Sequence, residues 1–133
     1  MSISKFYDFP NLGDTRGSLV AIDSSMGLPF EIKRTYFIFG TKSDVLRGQH
    51  AHKRLHQVAV CLSGSCKMVL DNGKKKEEIT MDSPLKGIDI PPMVWHEMYK
   101  FSSNCILLVL ASDYYNEEDY IRNYDKFNKA LDK

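Results

Sequence analysis

What this chain lacks already removes several classes of function. It has no surplus of either charge: 18 basic against 17 acidic side chains leave a formal net charge of +1, whereas a dedicated nucleic-acid binder carries a basic excess on one face. The one basic run, Lys74 to Lys76, is followed at once by Glu77 and Glu78, the pattern of a solvated hairpin edge. No apolar run approaches the eighteen or so residues of a membrane span, and "MSISKFYDFP" lacks the basic-then-apolar order of a signal peptide. Cysteine is scarce. Cys61, Cys66 and Cys105 form an odd set without ligand-like spacing, all in apolar stretches, so buried free thiols in a reducing compartment are expected rather than a disulfide framework. There is no Gly-rich phosphate loop, internal repeat or low-complexity segment. The expectation is a soluble cytoplasmic protein with no nucleic-acid or membrane partner.

What is present suits one domain over residues 1–133, since 43% hydrophobic residues in 133 can bury one core and not two. Short β-type runs dominate. "KRTYFIFGT" (33–41) mixes aromatic and β-branched residues. "QVAVCLSG" and "SCKMVLDNG" resemble paired strands turning at Ser63-Gly64, and Asp71-Asn72-Gly73 supplies the positive backbone angles of a tight hairpin before "KEEITM". "GIDIPPMVWHEMYKF" alternates around Pro91-Pro92, and "NCILLVLAS" suits a buried strand. The tail changes character: Tyr120, Ile121, Tyr124, Phe127 and Leu131 recur at three to four residues. Asn116 as N-cap and the acids Glu117 to Asp119 then place a helix over about 116–131. Many short strands before one helix predict a mostly β chain, a barrel or double-sheet jelly roll.

Three of the four histidines fall in "RGQHAHKRLHQ" (47–57), and the fourth, His96, in "IPPMVWHEM". On a strand His50 and His52 share a face. Imidazoles converging from two strands are what a divalent metal ligates; a catalytic base, or a polar strand end without chemistry, are the other readings. Four residues beyond His52, His56 would keep that face on a continuous strand, but a bend would remove it, and it is read as structural.

The spacing Gly48, His50-x-His52, Gln57, Gly64 resembles the first cupin motif with Gln in place of its Glu, and Pro91 to His96 resembles the second with Met93 in place of glycine. A neutral amide where the acidic ligand belongs weakens the metal reading. Over nearly the whole chain, "RGQHAHKRLHQVAVCLSGSCKMVLDNG", "PPMVWHEM" and "LASDYYNEEDYIRNYDKF" resemble the WxcM-like sugar 3,4-ketoisomerases. These are cupins that act on dTDP-4-oxo-6-deoxyglucose and feed 3-amino-sugar synthesis for surface polysaccharides.

The resemblance implies a cupin-type jelly-roll barrel, a homodimer and a dTDP-linked nucleotide-sugar substrate. It implies His50 and His52 as the acid–base pair, with Arg47 and Tyr36 lining the sugar pocket. Arg16 and His96 resemble the pair found in members that leave the new C4 hydroxyl axial, which implies dTDP-3-oxo-6-deoxygalactose as product; other members carry Tyr and Arg there. Moving a carbonyl from C4 to C3 is a tautomerisation that needs neither a redox cofactor nor a metal. A histidine with an unperturbed pKa of about 6.5 can take a proton and return it, while a guanidinium stabilises the growing oxyanion. His52 is favoured as the base at C3 with His50 shuttling, although sequence does not order them. Arg34, Lys100 and Arg122 are unranked candidates for the pyrophosphate. The competing readings are a related 3,5-epimerase, a metal-dependent cupin dioxygenase and a sugar-binding sensor domain.

Overall fold

The structure, a computed structural model, describes residues 2–131. Ten strands, in chain order, build two five-stranded sheets. They are β1 Phe6–Asp8, β2 Arg34–Phe39, β3 Arg47–His52, β4 Gln57–Ser63, β5 Cys66–Asp71, β6 Lys76–Met81, β7 Lys86–Ile90, β8 Trp95–Tyr99, β9 Ile106–Ala111 and β10 Tyr120–Ile121. The first sheet runs β1-β7-β4-β9-β2 and the second β10-β3-β8-β5-β6. Every pairing is antiparallel. The two sheets share a core that includes Ala59, Cys61, Met68, Leu70, Ile88, Met98, Leu107 and Val109. This is the jelly-roll-like β fold expected.

The near-continuous apolar runs of β4 and β9 are explained by covering on both faces. The segment between β1 and β2 lays Val20, Ile22, Met26, Leu28, Phe30 and Ile32 over Val58, Val60 and Leu110 on the outside of the first sheet. The hairpin at Asp71-Asn72-Gly73 forms as expected. Gly73 has φ +90°, and the Asn72 carboxamide accepts the backbone N–H groups of Lys74 and Lys75 at 2.9 Å. All three cysteines are buried free thiols, with Cys61 and Cys105 sulfurs 3.9 Å apart.

Two expectations need correction. β4 and β5 do not pair with each other: the turn at Ser63-Gly64 carries the chain from the first sheet to the second. The helix is also shorter than expected. Asn116 caps only a 3-10 turn, Glu117–Asp119, through its side chain and the Glu118 N–H at 3.1 Å. Tyr120 and Ile121 then join β3 as a strand, and helix α1, Tyr124–Leu131, starts afresh. The Asn123 carboxamide accepts the Lys126 N–H at 3.0 Å and its carbonyl the Phe127 N–H. α1 buries Phe127 against Ala51, Trp95 and Ile121 on the outer face of the second sheet. The three-to-four spacing is therefore split between a strand and a helix that close over one patch.

Candidate active site

The site begins with a defect in β3. Gly48 (φ +83°) and Gln49 (φ +60°) lie in the left-handed region, and the pairing of β3 with β8 slips between Gly48 and His50. Such a bulge re-aims the side chains that follow it. Only glycine fits at 48, because a Cβ there would stand 2.9 Å from the His96 carbonyl oxygen. Beyond the bulge His50 pairs with His96 on β8, and His52 pairs with Tyr120 on β10.

Four rings therefore meet on the inner face. The His50 ring centroid lies 4.9 Å from His52 and 4.6 Å from His96. The Tyr120 ring lies 4.9 Å from His50 and 4.3 Å from His52. A cleft of about 300 Å³ opens at this cluster, with walls from Arg34, Tyr36, Arg47, His50, His96, Tyr120 and Arg122. That volume suits a small-molecule site. His50 faces the cleft; His52, only 2% exposed, sits behind it.

The cations are held in distinct ways. Arg34 stands 5.3 Å from the Tyr36 ring and 5.9 Å from that of Tyr115, and its Nε is buried with no hydrogen-bond partner among the described residues. Arg122 lies 4.1 Å over the Tyr120 ring while its Nε and Nη2 donate to Glu117 at 2.7 and 2.9 Å. The Tyr36 hydroxyl donates to Gln57 Oε1 at 2.6 Å. Burial raises the Tyr36 pKa above its ordinary value of 10.0, so its hydroxyl stays a donor at neutral pH.

Burial favours the neutral form of each imidazole, and the tautomers are partly fixed. Nδ1 of His50 donates to the Gly48 carbonyl at 3.0 Å and Nδ1 of His96 to that of Val94 at 3.2 Å. In a neutral ring this leaves the lone pair on Nε2 of each. Burial, and then the neighbouring His96, His50, Arg34 and Arg122, push His52 down to about 3. Burial and then His50 push His96 to about 3. Burial also lowers His50, opposed by its bond to Gly48.

Nitrogens of His50, His52 and His96 all lie within 4.8 Å of one another, a donor set that a divalent cation accepts. The fourth cupin position is Gln57, a buried neutral amide whose oxygen is taken by Tyr36. It supplies no negative charge. The arrangement fits bases beside guanidinium donors better than an anionic metal cage.

Comparison with known proteins decides the family. The FdtA family, described as WxcM-like, C-terminal, matches residues 2–132. The chain belongs to the WxcM-like family. A TDP-4-oxo-6-deoxy-alpha-D-glucose-3,4-oxoisomerase of Aneurinibacillus thermoaerophilus is 55% identical over 130 residues, covering 98% of this chain and 94% of that protein. A 3,4-ketoisomerase of Helicobacter canadensis superposes with TM-score 0.95 at 44% identity over the full length of both chains. QdtA, a sugar 3,4-ketoisomerase of Thermoanaerobacterium thermosaccharolyticum solved in complex with TDP, gives TM-score 0.93 at 43% identity, covering 96% of this chain and 93% of QdtA. The 3,5-epimerase RmlC of Legionella pneumophila, at 19% identity and TM-score 0.75 over 89% of this chain and 71% of RmlC, shares the fold only.

Within this WxcM-like chain, five of the six residues expected at the site come together: Tyr36, Arg47, His50 and His96 at the cleft, and His52 behind them. Arg16 does not join them in its own chain. It sits on the turn between Asp14 and Gly17, its side chain 89% exposed and ion-paired to Asp14 at 2.6 Å. His56 does not line the cleft: β3 ends at His52, the chain crosses to the first sheet, and His56 Nε2 lies 2.7 Å from Asp89 Oδ1. The sequence alone leaves Arg34 and Arg122 unranked and gives no sign that Tyr120 reaches the cleft. The tail's "EEDYIR" reads as helix, and a helix would not bring Tyr120 to the histidines.

Proposed function

We propose that this chain is a TDP-sugar 3,4-ketoisomerase that converts TDP-4-oxo-6-deoxy-D-glucose to the 3-oxo sugar. The carrying observation is the His50/His52 pair, rings 4.9 Å apart, with His50 on the wall of a cleft shared with Arg34, Arg47 and Arg122, in a chain 55% identical to a protein named for that reaction. An imidazole takes the proton from C3, and the C–H electron pair forms the C3=C4 bond while charge moves to O4. One proton passes from O3 to O4, and C4 takes a proton from the imidazolium as the C3 carbonyl forms. The arginines stabilise the enediolate oxygens and the diphosphate. His50 faces the cleft, which favours it for the transfer at carbon and reverses the order favoured from sequence; His52 is its partner in the acid–base pair.

The finer parts of the reading are also proposals. The chain acts as one cupin-like domain in the cytoplasm and as a homodimer. None of its described helices is long and apolar enough to cross a membrane. The product is TDP-3-oxo-6-deoxy-D-galactose, supported by His96 on the cleft wall and by the Arg16/His96 pairing of residue types. Because Arg16 does not line the cleft of its own chain, its role at the sugar needs the turn at 14–17 to be brought there, for which the dimer is the natural means. The test is proton NMR of the product of TDP-4-oxo-6-deoxy-D-glucose. A small coupling between H4 and H5 marks the axial C4 hydroxyl expected; a large one would assign the gluco product, and unchanged substrate would refute the isomerase.

A further inference from the structure

The buried histidine carries an unsolved electrostatic problem. His52 is 2% exposed, and neither of its ring nitrogens has a hydrogen-bond partner among the described residues. The groups that face it are His50 on its own strand, His96 on β8, Arg34 on β2, and Asp119, Tyr120 and Arg122 from the tail. Two are guanidinium cations and two are imidazoles. A proton arriving on the His50/His52 pair thus meets positive charge from two sides and little water.

One carboxylate stands against this. Asp119 Oδ2 lies 3.7 Å from His52 Nδ1, longer than a hydrogen bond and close enough for strong attraction at low dielectric. Asp119 is itself buried at 8% exposure and firmly placed. Its Oδ1 accepts the Arg54 N–H at 2.9 Å, its Oδ2 accepts the Leu55 N–H at 3.0 Å, and its carbonyl accepts the Lys53 N–H at 2.9 Å. Arg54 Nε is 3.9 Å away, but that side chain is mostly exposed and its charge is screened. The carboxylate is therefore aimed at His52 by the turn that ends β3.

We propose that Asp119 is a positioning residue of the isomerase, holding His52 in the Nδ1–H tautomer and supplying the counter-charge when the His50/His52 pair carries the substrate proton. This rests on the isomerase reading above and deepens it. A small contraction, from 3.7 Å to hydrogen-bond length, would complete an aspartate–histidine pair in the protonated state. With Nδ1 directed at the carboxylate, the lone pair of His52 is on Nε2, the same arrangement that the backbone carbonyls impose on His50 and His96.

The test combines two readouts. Long-range proton–nitrogen NMR of the wild-type protein, which requires no turnover, should show His52 as the Nδ1–H tautomer; the Nε2–H tautomer would overturn the proposal. Steady-state rates across pH for D119N and D119E form the second arm. D119N should lower kcat about 10- to 100-fold with KM within about threefold, and move the acidic limb of kcat/KM to lower pH. D119E, which keeps the charge, should keep the limb near its wild-type position. A kcat loss with the limb unmoved, or full activity in D119N, would make Asp119 a structural anchor of residues 53–55 only. If D119N does not fold, the wild-type tautomer and D119E decide the matter. An inactive wild-type protein with the predicted tautomer would refute the substrate reading and leave the Asp119–His52 pair standing.

Discussion

His50, His52 and His96 illustrate how burial selects chemistry. An exposed imidazole is about half protonated near pH 6.5, but desolvation lowers the pKa of all three, to about 3 for His52 and His96. A neutral ring is the state a general base needs, so the acidic limb of kcat/KM should lie below pH 6.5. Measuring kcat/KM in steps through that pH checks this; a limb centred near 6.5 would mean that the reacting imidazole is solvated and ordinary. Residue identity alone could not give this property. That His50 and His52 share a face was legible in the sequence because residues two apart on a strand point the same way, whereas the places of Arg47 and Tyr36 at the cleft were implied by the family resemblance. Arg34 and Asp119 were not legible, since each becomes relevant only through a neighbour far away in the chain.

At the scale of elements, the bulge in β3 and the splice of β10 onto it build the site. Gly48 belongs to the cupin spacing, and its reason is now physical: φ +83° and a carbonyl 2.9 Å from where a Cβ would be. Gly48→Ala should therefore cost about 1–3 kcal/mol of stability and, by displacing His50, lower kcat more than it raises KM. A thermal melt with steady-state kinetics checks both; a variant with wild-type stability and rate would show that the bulge is not needed. The misread elements share a cause. β4 and β5 are two adjacent strand-like runs joined by a Ser-Gly turn, a local pattern of hairpins, yet β4 completes its bonding with β7 and β9 and leaves β5 to the other sheet. In the tail, helical periodicity over 120–131 was real, but the free edge of β3 satisfied the backbone of Tyr120 and Ile121 first. Long-range pairing outranked local propensity in both places.

Taken whole, the molecule places neutral histidines in its interior, and that links stability to pH. Their folded pKa values lie below the unfolded value, at about 3 for His52 and His96. Between about pH 3 and 6.5 the unfolded chain binds more protons than the folded one, so stability is full above about pH 6.5 and falls as pH drops. Each of the two groups would contribute a loss of about 2 kcal/mol by pH 5. Thermal melts from pH 7.5 to 4.5 should show Tm falling with acidity, with the slope reduced when His96 is replaced by Asn. A Tm independent of pH would contradict the burial assigned to these rings. The mostly β class, the strand-rich body and the short helical end were readable from alternation and turn residues; the meeting of Arg34, Tyr120 and Arg122 around the histidines required the two sheets packed together.

The central claim is that the His50/His52 site moves a proton between C3 and C4 of a TDP-4-oxo sugar. Incubation with TDP-4-oxo-6-deoxy-D-glucose in deuterium oxide, followed by NMR, tests it most directly. Deuterium at C4 of a 3-oxo product, with C5 retaining its proton and the reaction abolished by His50→Asn, is the result predicted. Deuterium at C5, or a 3-oxo product formed at full rate by that variant, would contradict it.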